Sequence, residues 1–128
     1  MYIRFVVNER HPPFGHRSGF FSTAYELRDH GSISSEELNE LKNALAWFSA
    51  NMERPSRFTR SKNPRATETA ISWFKSSART HIDQARKVLR ILNRNGHTVE
   101  MIKTSRPGYV VFEDDFQIVA VPFSDTAA

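Results

Sequence analysis

The sequence AISWFKSS, residues 70–77, decides the order of the secondary-structure elements in this chain. Ala70 to Phe74 is a short apolar and aromatic run, which is typical of a buried strand. The alternative is that this run continues a short preceding helix. One of the two serines that follow can cap the next helix, and Gly96 is placed to end it. We therefore predict a strand that leads into the longest helix, which reaches to about Asn95.

The residues before this stretch begin with a strand, a loop and a short helix. Alternate residues of Tyr2–Val7 fall on two faces, which indicates a half-buried strand. Residues 8–19, NERHPPFGHRSG, are predicted to form a loop because prolines and glycines interrupt them. Phe20–His30 predicts a short helix that Gly31 ends.

The second helix has the clearest start in the sequence. Ser34 and Glu37 form a capping box, and Ile33 and Leu38 form the hydrophobic staple that accompanies such a start. Pro55 follows the predicted end of the helix. Apolar residues at spacings of three and four mark its buried face: Leu38, Leu41, Leu45, Phe48 and Met52.

Short strands occupy the last part of the chain. The pattern predicts strands at residues 97–103, 109–113 and 116–121, and a proline–glycine turn precedes the second of them. Residues 122–128 are expected to form a frayed tail. The order is therefore β-α-α-β-α-β-β-β. We predict one α+β domain, residues 1–128, with helices packed on one mainly antiparallel sheet that ends in a β-meander.

The composition limits the classes of protein to which this chain can belong. The chain has 128 residues, of which 39% are hydrophobic and 25% charged, values typical of a globular domain that folds without cross-links. The absence of cysteine excludes disulfides and thiolate zinc sites. No apolar run reaches the ~20 residues of a membrane-spanning helix, and the first ten residues lack the features of a signal peptide. We therefore expect a soluble cytoplasmic protein with no membrane partner.

Positive charge is concentrated in one segment of the chain. Residues 54–94 contain eleven Lys or Arg and two acids, a net charge of +9, while the remaining residues carry −5. One-sided charge of this kind indicates an anionic partner. The simpler alternative is that long basic side chains solvate one face of a helix.

We predict that residues 57–90 bind a phosphate-bearing ligand, either nucleic acid or a nucleotide, with no cofactor and no metal. Arginine forks match phosphate oxygens, and the start of the long helix offers unpaired N–H groups beside Lys75. Trp73 shares a strand face with Lys75 and provides a surface on which a base can stack. The predicted binding residues are Arg57, Arg60, Lys62, Arg65, Trp73, Lys75, Arg79, His81, Arg86 and Arg90.

The arginines of the long helix are predicted to lie at the edge of its buried face, next to the sheet or the preceding loop. His81 is expected on the polar shoulder of the same helix, exposed to solvent. The buried face itself is predicted from the apolar spacing to be Ala78, Ile82, Ala85, Leu89 and Leu92.

Two alternatives belong to other classes of protein. A phosphodiester-cleaving enzyme would use His81 and Lys75 for acid–base catalysis, with the arginines as support. A protein-interaction module would present the basic surface to an acidic protein, with an apolar patch around Trp47 or Phe58.

The acidic run at residues 113–115 predicts a hairpin turn rather than a site for a divalent cation.

Three segments, YIRFVV, AISWFK and RPGYVVFEDD, together resemble a set of small bacterial proteins to which no function has been assigned. The resemblance covers nearly the whole chain and implies a bacterial protein, but it brings no functional residues with it. The order of a strand, two helices and a terminal meander is similar to that of small toxin ribonucleases of toxin–antitoxin pairs, in layout alone.

Overall fold

One sheet forms the centre of the fold, and helices pack against one of its faces. The computed structural model describes residues 1–11, 16–54 and 69–126, and within these ranges the chain forms six strands and three helices. Without the short second strand, the order is the predicted β-α-α-β-α-β-β-β, so the α+β class is confirmed. Along the chain the elements are β1 (Tyr2–His11), β2 (His16–Gly19), α1 (Phe20–His30), α2 (Ser35–Asn51), β3 (Ile71–Lys75), α3 (Arg79–Arg94), β4 (Val99–Thr104), β5 (Tyr109–Glu113) and β6 (Gln117–Val121).

β1 is a central strand that pairs along both of its edges. β4 lies along one edge, where Tyr2 is opposite Thr104 and Val7 is opposite Val99. The other edge is shared, because β3 pairs with Tyr2 and Ile3 and β2 pairs with the second half of the strand. β6 follows β3, and β5 follows β6. Every pair is antiparallel, and β2, β4 and β5 each pair with one strand only, so they are the outer strands of the sheet.

The prediction of a loop at residues 8–19 was wrong, because both ends of this segment belong to strands. β1 continues to His11, and His16–Gly19 returns beside it as β2, so the two strands form a hairpin. The sequence gives no hint of this because both strands are polar there and lack the apolar alternation by which strands are recognised. Backbone pairing alone is enough to continue a strand beyond its apolar part.

Both faces of the sheet carry buried apolar side chains. On the face covered by the helices, Phe5 and Phe74 pack against Phe20 and Phe48, with ring centroids 6.0 to 6.3 Å apart. Alternate residues of a strand point to opposite faces, so a separate cluster forms on the other side of the sheet. It consists of Ile71, Trp73 and Ile118, with Tyr2, Ile102 and Val110 packed against it.

α2 begins at the predicted N-cap, and of the two hydrogen bonds of a capping box the described residues show the one to the serine side chain. Ser34 is the N-cap, and its Oγ accepts a hydrogen bond from Glu37 N at 3.1 Å. Leu41, Leu45 and Phe48 from the predicted stripe are buried. The start of α2 and its buried side therefore agree with the prediction.

Replacing Ser34 with alanine is expected to lower the free energy of unfolding by about 1 kcal/mol, because Glu37 N then loses its partner. Ser35→Ala is the matched control, since Ser35 is exposed and is the first residue of the helix rather than its cap. Urea unfolding of the two variants measures the difference. Equal midpoints for both variants would contradict the role of Ser34.

α3 begins later than predicted and is rotated about its axis. Its N-cap is Ala78, without a side-chain hydrogen bond, and Ala78 N bonds to Lys75 O at 2.9 Å, which places the two serines in a turn. The prediction that one of these serines caps the helix was therefore wrong. Leu89, predicted as core, is only partly buried. The buried face consists of His81, Ile82, Ala85, Val88, Ile91 and Leu92.

The prediction that the last three strands form a β-meander was wrong, because β4 pairs with β1 and only β5 and β6 pair with each other. The β5–β6 hairpin belongs to the core. Val111, Ile118 and Val119 are buried, as expected for an integral part of the sheet. Gly108 has a φ of 134°, and a Cβ at this position would collide with the backbone of Val121. Only glycine fits this turn, since it has no Cβ and tolerates a positive φ.

The tail was expected to fray from residue 122, but contacts hold it as far as Thr126. Phe123 N donates a hydrogen bond to Thr126 Oγ1 at 3.0 Å. The Phe123 ring meets Tyr109 edge-on, with centroids 4.6 Å apart, and the Arg106 guanidinium lies 5.0 Å from its centroid. These contacts fold the tail back onto the start of β5.

Candidate functional site

The predicted binding residues do not converge on one site in the part of the chain that the structure describes. Six of them lie on β3 and α3, where they have three different environments: a buried ring, two side chains with partners inside the protein, and three exposed arginines. The other four lie outside the described residues: Arg57, Arg60, Lys62 and Arg65.

Trp73 is a core residue, so the interpretation of its ring as a stacking surface was wrong. Its relative exposure is 0%, and it packs with Ile71 and Ile118 on the sheet face opposite the helices. The physical reason is the position of β3 between β1 and β6, because such a strand has the helix-side core on one face and a second apolar cluster on the other. The adjacent Phe74 is buried in the helix-side core.

Lys75 forms an ion pair and is not free to receive a phosphate. Its Nζ lies 2.6 Å from Glu113 Oε2, and the lysine side chain is 24% exposed. The hydrogen bond to the Glu113 carboxylate raises the pKa of Lys75 above its ordinary value of 10.5, and the charges of Glu113 and Asp115 act in the same direction. The ammonium is therefore charged at neutral pH and is neutralised locally.

His81 is buried, so the prediction of a solvated surface histidine was wrong. Its relative exposure is 4%, and its ring stacks on Phe116 at 4.1 Å and meets Trp47 at 4.8 Å between centroids. His81 Nε2 lies 2.8 Å from Asn51 O; because a carbonyl can only accept, Nε2 carries the proton. The histidine thus joins the end of α2 to the start of α3, and the geometry gives no support to acid–base catalysis on an incoming substrate.

Arg79, Arg86 and Arg90 are exposed on the side of α3 opposite the core. Their spacing places them within about 40° of one another around the helix. The prediction that they flank the buried face was wrong, because that face is centred near His81 rather than on the apolar residues alone. Lys87 and Arg94 are exposed beside them and had not been predicted as binding residues. We call these five residues the outer face of α3: Arg79, Arg86, Lys87, Arg90 and Arg94.

The charges of the outer face of α3 find little compensation in the part of the chain that the structure describes. Among the described residues, no carboxylate lies within 4.0 Å of Arg79, Arg86 or Arg90, although Asp83 is exposed on the same side. Arg94 Nη1 lies 3.9 Å from Glu37 Oε2. Long basic side chains without partners leave a positive field that extends into solvent.

The acidic run at residues 113–115 forms the predicted hairpin turn. Asp114 Oδ1 accepts hydrogen bonds from Phe116 N at 2.8 Å and from Gln117 N at 2.9 Å. Within the described ranges no three histidine or acidic side chains are grouped closely enough to hold a metal ion. No helix in those ranges is long and apolar enough to cross a membrane.

Comparison with known proteins gives no match for this chain. No protein-family model fits it, and neither a curated protein nor a solved structure is significantly similar to it. The resemblance to small bacterial proteins therefore stays a prediction.

Proposed function

We propose that the chain binds nucleic acid through the outer face of α3. The observation that carries this proposal is the exposure of Arg79, Arg86 and Arg90 on one stripe without carboxylate partners in the described part of the chain. Guanidinium groups pair with phosphate oxygens through two parallel hydrogen bonds. An uncompensated row of them attracts a polyanion in preference to a single small anion.

The length of this row suits a nucleic-acid backbone. From Arg79 to Arg90 the helix advances about 16 Å at 1.5 Å per residue. Duplex DNA carries one charge per ~1.7 Å of its axis, so a straight row of this length lies beside several phosphates. Each phosphate that is neutralised releases condensed counterions, which is the main source of affinity in binding of this type.

The expected mode of binding is contact with phosphates rather than reading of bases. The two aromatic residues of β3, Trp73 and Phe74, are buried and offer no surface for stacking. Phosphate contacts position a protein on nucleic acid but carry no sequence information. We therefore expect little dependence on sequence and a steep dependence on salt.

Replacing both Arg86 and Arg90 with glutamine is expected to make the slope of log K against log salt concentration shallower by about two units. The reason is that each arginine neutralises roughly one phosphate. The control removes two charges elsewhere, with Lys42→Gln and Lys103→Gln on the exposed sides of α2 and β4. Fluorescence anisotropy with short single-stranded and duplex oligonucleotides across a salt series measures both slopes.

Two results would contradict the proposal. One is equal slopes for the two double variants, which would leave only a diffuse effect of net charge. The other is an absence of binding by the unmodified protein at low salt. That second result would favour an acidic protein as the partner of the outer face of α3.

A further inference from the structure

A cavity of about 290 Å³ lies on the helix side of the sheet, away from the outer face of α3. It opens between α1, the end of α2, and the strands β3 and β6. Its volume is near the lower end of the ~300–1,000 Å³ that is usual for small-molecule sites. The lining residues are Phe21, Tyr25, Phe48, Ser49, Met52, Glu53, Arg54, Ala70, Ser72, Gln117 and Val119.

The walls of the cavity are aromatic. Phe21 and Phe48 meet edge-on with centroids 4.9 Å apart, and Tyr25 adds a third ring from α1. Aromatic rings prefer offset or edge-to-face partners at such distances. A flat ring is therefore the shape that these walls contact best.

The strand side of the cavity presents oxygen atoms that accept hydrogen bonds. Ser72 Oγ donates to Gln117 Oε1 at 2.8 Å, and Gln117 Nε2 donates to Glu53 O at 2.6 Å. Because the Ser72 hydroxyl proton is already used, its oxygen can only accept from a ligand. A ligand that reaches Ser72 therefore needs an O–H or N–H group at its inner end.

The mouth of the cavity carries a cation that has no ion-pair partner among the described residues. Arg54 is exposed, and its guanidinium lies 5.9 Å from the centroid of the Tyr25 ring. In the described ranges no carboxylate comes within salt-bridge distance of Arg54. The neighbouring Glu53 is also exposed and repels anions, so an anionic group is favoured only where it contacts Arg54 directly.

We propose that this cavity binds a small planar aromatic compound with a hydrogen-bond donor at its inner end and a carboxylate or phosphate at its outer end. The ring lies against Phe21, Tyr25 and Phe48, the donor meets Ser72, and the anion meets Arg54. An aromatic acid and a nucleoside monophosphate share this chemistry. The proposal does not depend on the binding of nucleic acid to α3.

The test is a calorimetric titration of the intact chain with 4-hydroxyphenylacetate and with cytidine monophosphate. Binding of either compound at millimolar concentration supports the proposal, and the preferred compound identifies the anion. Phenylacetate lacks the donor and 4-methylphenol lacks the anion, so each is expected to bind about tenfold more weakly than 4-hydroxyphenylacetate, as the loss of one strong hydrogen bond predicts.

Two variants assign the contacts. Arg54→Gln is expected to weaken the anionic ligands about tenfold and to leave 4-methylphenol unchanged. Arg28→Gln is the matched control, since Arg28 also lies over the Tyr25 ring, at 4.8 Å, but does not line the cavity. Binding of neither compound to the folded protein, or equal effects of the two variants, would overturn the proposal. The double variant of Arg86 and Arg90 is expected to leave this titration unchanged, which separates the two sites.

Discussion

Replacing Trp73 with alanine is expected to lower the free energy of unfolding by about 3–5 kcal/mol, the usual cost of truncating a large buried aromatic side chain. The Trp73 ring is inaccessible to solvent and fills the space beside Ile71 and Ile118. A loss of this size is a large fraction of the stability of an ordinary domain. Urea unfolding followed by circular dichroism is the measurement.

Two control variants test whether the loss of stability comes from the burial of the Trp73 ring. Trp73→Phe is expected to cost clearly less than Trp73→Ala, because a ring is kept and Nε1 of Trp73 makes no hydrogen bond to any described residue. Tyr109→Ala, at a residue that is 67% exposed, is expected to cost about 1 kcal/mol or less. An unchanged urea midpoint for Trp73→Ala, together with weaker binding of single-stranded nucleic acid, would restore the stacking interpretation.

Truncation after Gly108 is expected to abolish folding. It removes β5 and also β6, which lies between β3 and β5 in the sheet. Ile118, Val119 and Ala120 are buried, and their loss exposes one edge of β3 together with the apolar cluster around Trp73. A strand without its neighbour also leaves a row of backbone groups without hydrogen-bond partners.

The matched control is truncation after Val121, which keeps all six described strands. This shorter deletion removes the contact between Phe123 and Tyr109 and is expected to lower the melting temperature without loss of cooperative unfolding. Thermal melting and the dispersion of amide NMR signals distinguish the two fragments. A cooperative melting transition for residues 1–108 would show that the β5–β6 hairpin is an appended arm.

Local patterns were sufficient to predict most elements of the fold. The N-cap hydrogen bond of Ser34 joins residues three positions apart, and the apolar stripe of α2 repeats with the helical period. Both are properties of a short segment, which is why the start and the buried side of α2 could be predicted. The order of the strands in the sheet depends on distant pairs and could not be.

The errors at the candidate site have the same origin. Lys75 forms an ion pair with Glu113. The imidazole of His81 can be buried in the core because it donates a hydrogen bond to Asn51 O. Neither partner is close in sequence, so each side chain looked free. Once His81 is placed in the core, the helical period puts the arginines of α3 on the opposite side.

The position of β1 has a consequence for how fast the chain folds. Ile3 finds its β3 partner at Phe74, and Tyr2 finds its β4 partner at Thr104, so the central strand closes very long loops. Such a high contact order predicts folding in milliseconds to seconds rather than microseconds. Until β4 arrives, one edge of β1 stays unpaired, and an unpaired apolar edge promotes aggregation. The strand that organises the native sheet is therefore also a segment at which misassembly can start during folding.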